Sequence, residues 1–220
     1  MPAPRHALLL AGALVAVGVA VVSPPAGAAT CRPLLTDPEG DSSYANTEDA
    51  LRAVEDGRLT DLLAVDLGSD RRELVVRIRT VGSNPEGGTS TLDHLWNVDF
   101  STATERFSLS AQSNRLTGAR FSLYRIVAGG EVAEDEEGPG SSAGVGVDTV
   151  VTGTVDEVAG RIVMRVPVSA FTEFGGLGKE LTTLRASAYS GLSADVVGEY
   201  SSTDVASTRS RFRVGTRGCP

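Results

Sequence analysis

The chain has 220 residues, 28 acidic against 20 basic, for a formal net charge of −8 and a sequence pI near 4.8. That balance argues against nucleic acid or an anionic membrane as partner, because both select a basic surface. Two cysteines with no histidine or second cysteine close to either leave no zinc-ligand spacing.

Residues 1–29 read as an export signal, and residues 30–220 as the folded domain. Arg5 and His6 give a short basic start, Ala7 to Val22 is an apolar run, and Ala26-Gly27-Ala28 fits the small-x-small rule of signal peptidase. The run is short beside the roughly 20 residues of a spanning helix, so a secreted chain starting near Ala29 or Thr30 is expected. Losing Arg5 moves the net charge to −9. What remains is one domain with enough chain for a real core. Cys31 and Cys219 then stand at the two ends of the mature chain. In an oxidising compartment they are expected to form one disulfide, worth about 5 kcal/mol in chain-entropy models; two free thiols are the alternative.

In chain order, residues 31–46 form an irregular entry that carries the acidic loop Asp37-Pro38-Glu39-Gly40-Asp41. Asn46 to Gly57 reads as a short helix, with Thr47 as its cap and Gly57 as its stop. Asp61 to Val81 is the clearest signal, a β-hairpin. Leu63, Val65 and Leu67 alternate in one arm, Leu74, Val76 and Ile78 in the other, and Gly68-Ser69-Asp70 supplies the turn.

Thr91 to Phe100 follows as a strand with His94, Trp96, Val98 and Phe100 on one face, then Arg106 to Gln112 and Arg120 to Val127. Gly129 to Gly146 is an acidic Gly/Ser loop. Val147 to Val155 and Arg161 to Pro167 pair around a turn, Ser169 to Gly178 is a turn, and Leu181 to Tyr189 and Arg211 to Val214 close the list. Short strands at this spacing, with Gly-rich turns and little helical periodicity, predict an all-β antiparallel sandwich of about eight or nine strands.

The order of these parts resembles secreted β-sandwich domains related to family 9 carbohydrate-binding modules and to DOMON domains. The residues that carry the resemblance are the loop Asp37-Pro-Glu-Gly-Asp41, the hairpin starting Asp61-Leu-Leu, the aromatic strand around Trp96, and Val155 to Ala170 with the strand ending at Tyr189. It implies a sandwich that binds sugars or haem, or that is attached to extracellular enzymes.

Four carboxylates stand out for a hard cation. Asp37, Glu39 and Asp41 sit within five residues, with Pro38 and Gly40 bending the chain, and Asp61 at a strand start supplies a fourth. Oxygen ligands on a tight loop suit a structural Ca²⁺, although the twelve-residue EF-hand loop is missing; a turn with solvated charges is the plainer reading. Trp96 and Tyr189 are the candidate sugar platforms, with Tyr44, Tyr124 and Tyr200 as further ones that nothing orders, although Trp96 shares its face with Leu92, Val98 and Phe100 and so competes for the core.

His94 and Met164 are the only mature histidine and methionine, the residue pair that holds haem in DOMON-like cytochromes. Their order along the chain is reversed here, so a core methionine and a partly buried histidine are the expected reading. Gly140-Ser-Ser-Ala-Gly144 spells a nucleophile elbow inside an acidic loop, without the strand-to-helix turn that the motif needs. The sequence therefore favours a non-catalytic module that binds a carbohydrate or another extracellular surface ligand. The alternatives are a secreted hydrolase using acidic residues, and a structural or interaction protein of the cell envelope.

Overall fold

The computed structural model describes residues 33–44, 58–83, 93–114, 117–127, 144–191 and 200–216. Inside-outside alternation shapes it, as the pattern of apolar residues predicts. Every second residue of Asp93–Ser101 is buried, from His94 to Phe100. In Glu73–Thr80 the buried row is Leu74, Val76, Ile78 and Thr80, with Val75 also enclosed.

Thirteen strands occur among the described residues. They are β1 (Leu35–Thr36), β2 (Ser43–Tyr44), β3 (Leu62–Ser69), β4 (Glu73–Thr80), β5 (Asp93–Ser101), β6 (Arg106–Asn114) and β7 (Gly118–Ile126). β8 (Gly144–Gly146), β9 (Thr152–Asp156), β10 (Arg161–Pro167), β11 (Glu180–Gly191), β12 (Tyr200–Thr208) and β13 (Phe212–Arg213) complete them. The smaller sheet runs β1-β3-β4-β10-β9 and the larger β2-β12-β11-β5-β6-β7-β8, with β13 added to β11. All strand pairs are antiparallel. This is an antiparallel β-sandwich, the expected class. No described helix is long and apolar enough to cross a membrane.

One apolar core lies between the sheets. The smaller sheet contributes Val65, Leu67, Val76, Ile78, Ile162 and Met164; the larger contributes Trp96, Phe100, Phe107, Leu109 and Leu184. A 3-10 helix, Val168–Phe174, plugs one part of it with Phe171, whose ring meets Phe107 edge-on at 5.0 Å. Gly175, at φ +87°, ends that helix in the left-handed region that glycine enters without penalty. Gly153 of β9 faces the core where Phe121 of β7 comes across: a Cβ there would run into the Phe121 ring and the Val163 carbonyl.

Several boundaries differ from the sequence-based expectation. The first hairpin turns at Asp70-Arg71-Arg72, because Asp70 Oδ1 accepts hydrogen bonds from the Arg72 and Glu73 amides, while Gly68 and Ser69 stay in the strand. Of Val147 to Val155 only the end is strand, since Thr152 is the first residue to pair with β10. β1, β2 and β12 were not expected at all, and β8 replaces the end of the loop expected over 129–146, where Gly144 pairs with Ile126 and Val145 with Arg125. The expected helix over 46–57, residues 129–143 of the expected loop, the export segment and Cys31 and Cys219 lie outside the described residues.

Candidate metal centre

The acidic entry loop is drawn together by backbone constraints. Asp37 N donates to Leu63 O at 3.1 Å, which prolongs the β1–β3 pairing and aims the loop back over the start of β3. Gly40 takes φ +88°, a conformation that curls the loop so that its N–H donates to Asp61 Oδ2 at 2.8 Å. From the opposite sheet Asp204 of β12 approaches, its Oδ2 accepting the Leu62 N–H at 2.7 Å.

Asp37, Asp41 and Asp204 each place a carboxylate oxygen within 4.8 Å of the other two. That span is about twice a Ca²⁺–oxygen bond of 2.3–2.6 Å, so one ion reaches all three. Asp61 borders this group beneath Gly40. Asp61 and Asp204 are each only 6 % exposed, Asp37 is half-buried, and Asp41 is exposed at the mouth. Two buried oxygens, Asp37 Oδ2 and Asp61 Oδ1, have no hydrogen-bond partner among the described residues. None of the four carboxylates makes an ion pair there either.

The electrostatics follow from that burial. Desolvation, then the charges of Asp37 and Asp41, pushes Asp204 up to about 6 against the pull of the Leu62 N–H. Burial also raises Asp37, with Asp41 and Asp61 adding repulsion and Asp204 partly offsetting it. Asp61 is raised mainly by burial; the Gly40 N–H opposes this, Asp41 and Glu39 add to it, and Arg58 offsets the least. The site concentrates carboxylates, and its all-oxygen donor set suits a hard cation rather than a thiophilic metal.

No protein-family model, no curated protein and no solved structure matches this chain. Its residues therefore have to speak through geometry. Of the four carboxylates expected to gather, Asp37 and Asp41 are in the group and Asp61 adjoins it. Glu39 is exposed and outside the group. Asp204 was missed. The signal for it was a charge at an inward position of β12, between Ser202 and Ala206.

Both platform expectations are corrected. Trp96 is 0 % exposed and its Nε1 donates to Leu59 O at 3.0 Å, so its face is core. Tyr189, which strand alternation assigns to the outer face, is 3 % exposed and offers no open ring. His94 is buried on β5, stacked on Trp96 at 5.7 Å, and Met164 is buried on β10 within the core.

Proposed function

We propose that this chain is an exported, non-catalytic β-sandwich that binds an extracellular glycan or other surface ligand and carries a structural Ca²⁺ at Asp37, Asp41, Asp61 and Asp204. The observation that carries the metal reading is the convergence of Asp37, Asp41 and Asp204 beside Asp61, with two buried oxygens, Asp37 Oδ2 and Asp61 Oδ1, that have no hydrogen-bond partner among the described residues. A buried carboxylate oxygen without donor or cation costs on the order of 1–3 kcal/mol, which a bound ion recovers. Export supports the choice of metal, because extracellular modules need Kd values of only about 10⁻⁴–10⁻³ M.

The ligand half of the reading is supported by the resemblance of the entry loop and strands to secreted carbohydrate-binding sandwiches. With Trp96 and Tyr189 enclosed, the outer face of the larger sheet offers another aromatic, Tyr124. One register row there runs Arg185, Asp99, Ser108, Tyr124, and the Tyr124 ring is 37 % exposed. A hydrolase would need two carboxylates facing an open cleft, and Asp61 and Asp204 are buried beneath the entry loop.

Thermal melts test the metal. At ten times Kd, Ca²⁺ contributes about 1.4 kcal/mol, equivalent to a Tm rise of roughly 3–6 °C over chelator for a domain of this size. Equal Tm values in saturating Ca²⁺ and in chelator would remove the site. A glycan array on the purified chain and on Tyr124→Ala tests the ligand; no bound glycan would leave the envelope-interaction reading in its place.

A further inference from the structure

Residues 33–44 belong to both sheets. β1 is the outermost strand of the smaller sheet, where Leu35 pairs with Val65 and Thr36 with Ala64. β2 is the outermost strand of the larger one, where Ser43 pairs with Thr203 and Tyr44 with Ser202. The acidic loop is the crossing between them. Two-residue pairings are too short to hold a strand on their own. Beyond them the anchors include the buried Leu35 and Ser42, the Asp37 amide on Leu63 O and the Gly40 amide on Asp61.

Charge acts against this attachment. Asp37 and Asp41, carried by the strap, face Asp204 of the larger sheet and Asp61 at the head of the smaller one. Asp61 adds a second observation at this point: it is 6 % exposed, its Oδ2 holds the Gly40 N–H, and its Oδ1 has no hydrogen-bond partner among the described residues. Ligands from the strap and from both sheets would meet on one ion.

We propose that residues 33–44 form a Ca²⁺-held latch: the ion fastens the strap across the edges of both sheets, and its removal releases the strap and uncovers the edges of β3 and β12. The proposal rests on the calcium reading above and adds its consequence for the fold. Release is local, because β5, β6 and β11 at the centre of the larger sheet pair with one another and not with the strap. Unpaired strand edges are templates for further pairing, so the ion also governs when these edges are open.

Hydrogen exchange on the full mature chain tests this, with Ca²⁺ binding measured separately by calorimetry. In chelator, amides of residues 35–37 and 43–44 and of Ser202 and Thr203 should exchange at least about tenfold faster than in saturating Ca²⁺, while those from Trp96 to Phe100 keep their rates. Asp41→Asn, a change at an exposed position, should need more Ca²⁺ to slow the same strap amides. Calcium that binds without slowing the strap would overturn the latch and leave the metal site standing. Acceleration spread evenly over β5 and β6 would also overturn it, as a global loss of stability. If calorimetry finds no binding, the metal site and the latch fall together.

Discussion

Trp96→Ala should lower the stability of the domain by about 3–5 kcal/mol, a large part of the roughly 5–15 kcal/mol available to a domain. The indole is fully buried, and the residues beside it in register are Ala188 of β11 and Ala111 of β6, two small side chains that make room for a large one. Truncation leaves a cavity that neither neighbour fills. It also strips the Leu59 carbonyl of the Nε1–H donor and removes the stack with His94. Trp96→Phe keeps most of the volume and loses the hydrogen bond, so about 1–2 kcal/mol is expected. Urea unfolding checks both. A Trp96→Ala protein with unchanged midpoint but weakened ligand binding would return the ring to the surface.

The second large effect is a reversed pH dependence in the metal-free protein. A buried carboxyl held above its ordinary value favours the protonated native state, so its stabilising effect is complete below the unfolded value of 3.8 and is lost as pH rises through about 6 for Asp204. Asp37 and Asp61 are shifted in the same direction. In chelator the domain should therefore be less stable at pH 7 than at pH 5, by about 1 kcal/mol from Asp204 at 1.36 kcal/mol per unit. Calcium competes with protons for the same oxygens, so its stabilisation should grow over that interval. Asp204→Asn keeps an acceptor for the Leu62 N–H while deleting the charge. It should flatten the metal-free profile and abolish the response to Ca²⁺. Melts at pH 5, 6 and 7 in chelator decide the matter, and stability that climbs with pH in the metal-free protein would contradict this account.

How far each element could be read from sequence depended on the bulk of its inward row. β4, β5 and β10 bury Leu, Val, Ile, Trp, Phe and Met at alternate positions, so a period of two is visible without coordinates. β12 was invisible because its inward residues include Asp204 and Ala206, small or charged side chains that leave no apolar rhythm in Tyr-Ser-Ser-Thr-Asp-Val-Ala-Ser-Thr. The exposed Val205 even points the pattern the wrong way. Missing that strand meant missing the carboxylate it delivers. β1 and β2 are two residues each, below the length at which periodicity exists.

The acidic loop was legible as a cluster because its members are adjacent in sequence. Which of them converge depends on the Gly40 conformation and on Asp61 below it, and neither shows in the order of letters. Tyr189 was misjudged for a different reason: alternation gives the direction of a side chain but not what lies over it.

The contact between Leu62 and Asp204 closes a separation of 142 positions, and β2 reaches further still to pair with β12. A chain emerging from its first residue therefore makes the two halves of this join at opposite ends of its synthesis. The hairpin of β3 and β4 is able to form early from local pairing, but the strap's partner on β12 does not yet exist. Closure of the sandwich at that corner therefore waits for β12, and truncation a few residues before Tyr200 leaves the early part of the molecule without its fastening.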